Sequence, residues 1–173
     1  MSRTVILIPS RLSATRLPGK PLLKINGVSI ISHVVKKAKE ADLGEVYVAT
    51  EDKEILDDVH LNNGKAILTS NKHKTGSDRI FECFEKLDLK NIDYIINLQG
   101  DEPNIDINDL KHLNKLVHIN KPEIGTLGSE IKDKSSLNNE NIVKVITESK
   151  ITDVNFPIAK DFKRKLKNIE SNT

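Results

Sequence analysis

Short apolar runs alternate with amphipathic segments along the first two thirds of the chain. The run Val5–Ile8 predicts a buried strand, and Val28–Ala41 places its apolar residues at helical spacing. The same alternation predicts strands at Glu45–Ala49, Lys65–Leu68 and Tyr94–Leu98, and helices at Glu54–Leu61, Asp78–Leu87 and Asn108–His118. Apolar strands separated by helices indicate βαβ crossovers. We therefore predict an α/β fold, doubly wound, with a mainly parallel sheet and helices on both faces.

The pattern is less regular in the last third of the chain. Apolar runs predict strands at Ile124–Ile131, Ile142–Thr147 and Ile151–Phe156. Basic residues then collect near the end of the sequence, at Lys160, Lys163, Arg164, Lys165 and Lys167. We interpret residues 1–158 as one α/β domain. Residues 159–173 are interpreted as a basic tail, either a solvated helix end or a linker.

Composition excludes several classes of protein. With Cys83 as its one cysteine, the chain cannot form a disulfide framework or a thiolate metal cluster. Cys83 lies in the predicted amphipathic helix, and we expect it to be buried as a small hydrophobic residue. Aromatic residues make up 3% of the chain and the net charge is +2, which argues against a nucleic-acid partner. No apolar run approaches the ~20 residues of a membrane span, and the first run is shorter than the roughly 7–15 residues of a signal peptide core. We expect a cytoplasmic protein with no membrane partner.

The first polar loop follows the strand Val5–Ile8 and reads P-S-R-L-S-A-T-R-L-P-G-K-P-L over residues 9–22. Ligands of such sheets bind outside the carboxyl ends of the strands. Arg11, Arg16 and Lys20 supply the positive charge needed to hold a triphosphate and to neutralise a departing pyrophosphate. A solvated basic loop with Pro and Gly as turn residues is the alternative interpretation.

Two further loops carry candidate chemistry. Residues 97–103 read N-L-Q-G-D-E-P after the most apolar strand, and Asp101 could hold Mg²⁺ against nucleotide phosphates. Residues 73–79 read H-K-T-G-S-D-R at a helix start, where backbone N–H groups and hydroxyls could contact a base or ribose. A polar turn in the first case, and a Thr75–Asp78 capping box in the second, are equally ordinary interpretations.

Together the three loops resemble one family. The strings I-P-S-R-L-S-A-T-R-L-P-G-K-P-L, V-A-T-E-D, T-G-S-D-R and N-L-Q-G-D-E-P, in this order, are similar to those of the 3-deoxy-manno-octulosonate (Kdo) cytidylyltransferases. The resemblance extends from Val5 to about Ile158, and it implies that residues 1–158 form a nucleotide-binding α/β domain. It implies the Rossmann-like fold of nucleotide-diphospho-sugar transferases and a Mg²⁺-dependent enzyme. Such an enzyme transfers CMP from CTP to Kdo, releases pyrophosphate, serves lipopolysaccharide synthesis and acts as a homodimer.

The resemblance also implies residue roles. Arg11, Lys20 and Asp101 would be the catalytic residues, with the two cations on the phosphates and Asp101 on the metal. Gln99 would face the sugar. The other residues expected to bind nucleotide or substrate are Ser10, Arg16, Thr75, Gly76, Ser77 and Arg79.

The chain departs from the family pattern at three places. Ala14 replaces a hydroxyl-bearing residue in the first loop, and the family's sugar-binding Arg has no counterpart in the segment N-F-P-I over residues 155–158. The sequence stops at Thr173, before a C-terminal segment that the family uses for sugar binding, a second metal-binding Asp and dimer contacts. Two alternatives therefore stay open. One is a truncated or divergent nucleotide-binding module without transfer activity, and the other is a cytidylyltransferase for another acidic sugar.

Overall fold

The computed structural model describes residues 3–13 and 17–165. The chain divides into two compact units, residues 1–114 and 115–173. This division differs from the predicted boundary at residue 158, because the residues after 114 make most of their contacts among themselves.

The first unit contains the predicted alternation of strands and helices. Its elements are β1 (Thr4–Ser10), β2 (Lys24–Ile25), β3 (Val28–Ser29), α1 (Ile30–Glu40), β4 (Gly44–Thr50), α2 (Lys53–Leu61), β5 (Ala66–Leu68), α3 (Gly76–Leu87), β6 (Tyr94–Asn97) and the start of α4 (Ile107–Asn120). The strands and helices predicted over this half are confirmed, with ends shifted by one or two residues. Val28–Ser29 is the exception: the pattern predicts helix there, but the segment pairs with β2 in a hairpin. Asn26 and Gly27 both have positive φ, as a two-residue hairpin turn requires.

Four parallel strands form the central sheet in the order β5-β4-β1-β6. From β1 the chain moves outward through β4 to β5 and then returns to the other side of β1 with β6. The direction of winding therefore reverses between β1 and β6. In doubly wound sheets the ligand crevice lies at such a reversal, outside the carboxyl ends of the two strands.

Side chains of β1 alternate between two apolar layers, as expected for a central strand. Ile6 and Ile8 pack in one cluster with apolar residues of α1, α2 and α4. Val5 and Leu7 face the other side, where α3 contributes Ile80 and Cys83. Helices therefore cover both faces, which confirms the predicted class. Burial raises the pKa of the Cys83 thiol to about 11, and the prediction of a buried small hydrophobe is confirmed.

The second unit contains α5 (Lys134–Asn138) and an antiparallel pair, β7 (Lys144–Thr147) and β8 (Ala159–Lys163). The strands predicted at Ile124–Ile131 and Ile151–Phe156 are wrong, since both segments are irregular. Their apolar side chains find no apolar layer, as the 88% exposure of Ile124 illustrates. The first residues of the predicted basic tail, 159–163, form β8. Within the described residues, no helix is long and apolar enough to cross a membrane.

Candidate functional site

The basic loop that follows β1 is anchored near both ends. The N–H of Leu12 donates to Asp52 Oδ2 at 2.8 Å, and the N–H of Gly19 donates to the carbonyl of Leu12 at 3.1 Å. Asp52 directly precedes α2, yet its carboxylate makes no helix-capping bond and is used to hold the loop instead. Arg11 is exposed beside this anchor. The start of the loop is thus tied through the Leu12 backbone to the residue that precedes α2, and the Arg11 side chain is exposed.

A contact between Lys20 and Asp101 joins the first loop to the loop after β6. Lys20 begins a 3-10 turn (Lys20–Leu22) directly after Gly19, whose φ of 71° is left-handed. Lys20 Nζ lies 2.7 Å from Asp101 Oδ2. The two side chains are 33% and 55% exposed. A pair this exposed stabilises a protein by only about 0–1 kcal/mol, so a charged ligand can replace it at little cost.

Gly100 allows the loop after β6 to lie directly against the end of β1. A Cβ at Gly100 would come within 2.9 Å of the Pro9 carbonyl oxygen and 3.2 Å of Ile31 Cδ1. Gly76, at the start of α3, is similarly close: a Cβ there would lie 3.3 Å from Pro9 Cγ. Pro9 therefore contacts both of the other candidate loops. The structure brings parts of all three sequence motifs together at the carboxyl end of β1.

The N-terminus of α3 carries the predicted capping box. The N–H of Asp78 donates to Thr75 Oγ1 at 3.1 Å, and the N–H of Thr75 donates to Asp78 Oδ2 at 3.2 Å. Hydrogen bonds from Thr75 lower the pKa of the Asp78 carboxyl. Gly76 and Ser77 are exposed in the first turn. The helix start is therefore capped and open to solvent, and its contact with a base or ribose stays a prediction.

Arg79 is 3% exposed and binds protein groups in the described structure. Its guanidinium forms an ion pair with Glu51 and donates to Thr69 Oγ1 at 2.7 Å. These contacts join α3 to the loops that follow β4 and β5. The expected contact of Arg79 with cytosine or ribose stays a prediction. In the structure Arg79 connects elements inside the fold, and nothing in the sequence pattern indicated its pairing with Glu51, which lies in the V-A-T-E-D string.

Glu82 holds the loop between β5 and α3, a role that the sequence pattern did not indicate. Its carboxylate accepts hydrogen bonds from Lys86 Nζ at 2.7 Å, from the ring of His73 and from the N–H of Ser70 at 2.9 Å. The Lys86, His73 and Ser70 contacts together lower the pKa of Glu82 to about 2. The Glu82–Lys86 spacing was a sequence signal for a helical ion pair, but nothing in the pattern indicated the two loop contacts.

The remaining predicted site residues are less constrained. Gln99 is exposed, and its Nε2 lies 3.3 Å from Asn97 Oδ1. Arg16, and with it Ala14, lies outside the described residues. Among the residues that the structure describes, no group of three or more His, Cys, Asp or Glu side chains could hold a metal ion by itself.

Comparison with known proteins assigns this chain to a family. A family model described as "Cytidylyltransferase" matches residues 5–167. The chain belongs to the cytidylyltransferase family. Members of this family with similar sequences include the 3-deoxy-manno-octulosonate cytidylyltransferase of Nitrobacter winogradskyi, 43% identical over 146 residues that make up 84% of this chain and 58% of the relative. The protein of the same name from Thermodesulfovibrio yellowstonii is 43% identical over 149 residues, 83% of this chain and 58% of that protein.

A solved structure supports the same family assignment. The structure of CMP:2-keto-3-deoxy-manno-octonic acid synthetase complexed with CTP is 34% identical and superposes with a TM-score of 0.79. The aligned region covers 95% of this chain and 65% of the synthetase chain. This cytidylyltransferase-family chain therefore spans about three fifths of the length of the curated relatives that it matches.

We expect Glu82→Gln to weaken folding in a pH-dependent way. Since the folded pKa of about 2 lies below the ordinary 4.5, the carboxylate contributes stability that is full above pH 4.5 and lost as the pH falls through 2. At pH 7 we expect the free energy of unfolding to fall by about 1–2 kcal/mol, because charge-assisted hydrogen bonds are lost. Urea denaturation at several pH values measures this.

Glu85→Gln is the matched control for that measurement, because Glu85 is exposed on the same helix. Its free energy of unfolding should stay within about 0.5 kcal/mol of wild type, as for most surface substitutions. Equal effects of the two variants, or a Glu82→Gln deficit that does not shrink towards pH 2, would contradict the assigned role of Glu82.

Proposed function

We propose that this chain forms the nucleotide-binding part of a Kdo cytidylyltransferase, which transfers CMP from CTP to Kdo and releases pyrophosphate. The observation that carries the proposal is the Lys20–Asp101 contact of 2.7 Å at the reversal between β1 and β6. It places a cation and a carboxylate where doubly wound sheets bind ligands. The names of the curated relatives, and the complex of the similar synthetase with CTP, support the choice of nucleotide and sugar.

The proposed reaction forms one bond and breaks another at the α-phosphorus of CTP. The anomeric hydroxyl of the sugar attacks that phosphorus, and the bond to the bridging oxygen of pyrophosphate breaks. Negative charge accumulates on the leaving group. Arg11, which faces solvent, and Lys20 are the cations that would hold and neutralise the phosphates. Positioning and charge neutralisation are nearly everything that a protein supplies in phosphoryl transfer.

Magnesium fits Asp101 as an ion that is shared with the nucleotide. Asp101 offers one accessible carboxylate, and Mg²⁺ is usually bound by one or two carboxylates together with substrate phosphates. The absence of a larger acidic cluster among the described residues agrees with that mode and not with a cage made only of protein groups. When bound, the ion would supply further neutralisation of phosphate charge. Lys20, released from Asp101, would then be free to bind a phosphate oxygen.

The start of α3 would hold the nucleoside part of CTP. Thr75, Gly76 and Ser77 lie beside the end of β1 through the Gly76–Pro9 contact. Arg79 would support them from inside, since it ties α3 to the neighbouring loops. Gln99 is exposed at the end of β6 and would face the sugar. Assembly as a homodimer stays a prediction from the family.

A nucleotide-binding module without transfer activity is the second candidate. The first unit alone contains the sheet end and the loops proposed to hold CTP, which is all that such a module needs. A cytidylyltransferase that acts on another acidic sugar stays a third. The candidates differ in measurable ways, since binding of CTP, release of pyrophosphate and the choice of sugar are separate properties.

Calorimetric titration with CTP in the presence of Mg²⁺ tests the proposal first. We expect CTP to bind and UTP and ATP to bind at least tenfold more weakly, because the nucleoside site must distinguish the bases. A pyrophosphate-release assay with CTP and Kdo follows. Selective binding without pyrophosphate release would support the module instead, and a folded protein that binds no nucleotide would refute both.

Arg11→Ala and Lys20→Ala should separate phosphate binding from nucleoside binding. Loss of a charge-assisted contact costs about 1.5–3 kcal/mol, so CTP should bind roughly 10- to 100-fold more weakly to each variant. Cytidine should bind as it does to wild type. Lys36→Ala, at an exposed lysine of α1, is the matched control and should change neither affinity. Equal weakening of CTP and cytidine would mean that Arg11 or Lys20 is structural.

Asp101→Asn should remove the Mg²⁺ dependence of CTP binding. With Mg²⁺ we expect CTP to bind about tenfold more weakly than to wild type, since the carboxylate ligand is lost. Without Mg²⁺ the variant should bind CTP at least as tightly as wild type does without Mg²⁺, because the variant lacks a negative charge near the phosphates. The thermal midpoint should hardly change, since the Lys20 pair is exposed. If Mg²⁺ enhances CTP binding equally in both proteins, Asp101 does not hold the metal.

A further inference from the structure

Two Asn-Gly pairs occur in the sequence, and the structure holds them differently. Asn26 and Gly27 form the two-residue turn between β2 and β3, whereas Asn63 and Gly64 follow the C-terminus of α2. Both asparagines are exposed and both have positive φ, 50° at Asn26 and 59° at Asn63. The two pairs therefore differ mainly in what surrounds the glycine.

An asparagine side chain can react with the backbone of the residue that follows it. The backbone nitrogen of that residue attacks the side-chain amide carbon, the bond from this carbon to the side-chain nitrogen breaks, and ammonia leaves with the proton of the attacking N–H. Water then opens the resulting five-membered imide ring at one of its two carbonyls. The product is aspartate or its β-linked isomer, isoaspartate. Glycine favours the attack because it has no Cβ and because its backbone adopts conformations closed to other residues.

The Asn63 pair is held against this reaction. The N–H of Gly64 donates to the carbonyl of Val59 at 2.7 Å, so the attacking atom is engaged in a hydrogen bond. The carbonyl of Asn63 accepts from Lys39 Nζ at 2.5 Å. The backbone at Gly64 is also tightly packed, since a Cβ there would lie 2.5 Å from Val59 Cγ1. The imide ring can therefore form only when this end of α2 opens.

The Asn26 pair lies in an open turn. A Cβ at Gly27 would meet no heavy atom within 4 Å apart from its chain neighbours, so there is space for the imide ring. The ladder of this hairpin pairs Ile25 with Val28, and the Gly27 N–H lies between them, outside the ladder. His33 Nε2 donates to the carbonyl of Ile25 at 2.9 Å. That bond holds the strand before the turn and not the turn itself.

We infer that Asn26 is a site of spontaneous modification, at which the folded protein converts the side-chain amide to aspartate and isoaspartate while Asn63 is protected. The reaction needs neither nucleotide nor sugar. The two products affect the fold differently. Aspartate keeps the main chain, and Asp-Gly suits the same turn as Asn-Gly. Isoaspartate inserts its β-carbon into the main chain, so the turn no longer joins β2 and β3 in register.

Peptide mapping after incubation in mildly alkaline buffer measures the two sites separately. Trypsin cuts after lysine, so the peptide of residues 25–36 carries Asn26 and that of residues 54–65 carries Asn63. In the folded protein we expect Asn26 to exchange its amide for an acid roughly tenfold or more faster than Asn63, because reaction at Asn63 waits for local opening. In urea the two rates should converge.

Three results of the peptide mapping would overturn the inference. One is equal or faster reaction at Asn63 in the folded protein. Another is reaction of Asn26 in urea but not in the folded protein. The third is a difference between the sites that persists in urea, since the sequence and not the fold would then set the rates.

Glycine variants test the consequence for the fold. Wild type in which Asn26 has reacted should melt about 2–4 °C below fresh protein, since one or two hydrogen bonds of the hairpin are lost. Asn26→Gly should keep its thermal midpoint on incubation, because Gly-Gly suits this turn and carries no amide. Asn63→Gly is the matched control, and its midpoint should fall on incubation as that of wild type does. A midpoint that falls in both variants, or in neither, would contradict the assignment to Asn26.

Discussion

The site depends on the close approach between Gly100 and the end of β1. With a Cβ at Gly100 only 2.9 Å from the Pro9 carbonyl oxygen, any other residue would push the loop after β6 away from the strand. Asp101, the next residue, would move with it and away from Lys20. A backbone contact with no chemistry of its own therefore sets where the carboxylate and the cation meet. Gly100 is buried, and a side chain there would force the Pro9 backbone or the loop after β6 to shift.

Acidic side chains make most of the contacts that hold the loops of this positively charged site. Asp52 fixes the start of the basic loop through the N–H of Leu12, Glu51 holds Arg79, and Glu82 holds the segment before α3. Each carboxylate accepts hydrogen bonds from backbone N–H groups or from a buried cation, so few of its acceptor positions remain open to a ligand. The two cations proposed to bind phosphate, Arg11 and Lys20, are in contrast exposed or only loosely paired. The arrangement separates residues that build the site from residues that remain available to a ligand.

Much of the first unit could be predicted because its strands are buried on both faces and its helices are amphipathic. In the second unit an apolar run again predicted a strand, and that prediction was wrong. Ile124 is apolar but exposed, and it has no apolar layer to pack against. Strand β8 could not be seen, since its residues are exposed and are held by backbone pairing with β7 rather than by an apolar pattern. In the candidate site, the three loop motifs could be identified from the sequence alone. The contacts of Glu82 with Ser70 and His73 were not, because they depend on how a loop folds back over a helix.

The two faces of the central sheet are covered unequally, and this has a consequence for how the protein opens. One face carries apolar residues from three helices, whereas the other is covered by α3, whose fully buried side chains are Arg79, Ile80 and Cys83. Local unfolding begins where the least apolar surface is buried. Amide hydrogens of α3 should therefore exchange with solvent before those of β1. A ligand held by the start of α3 would slow that exchange, so binding of the proposed nucleotide would be coupled to the local stability of this helix.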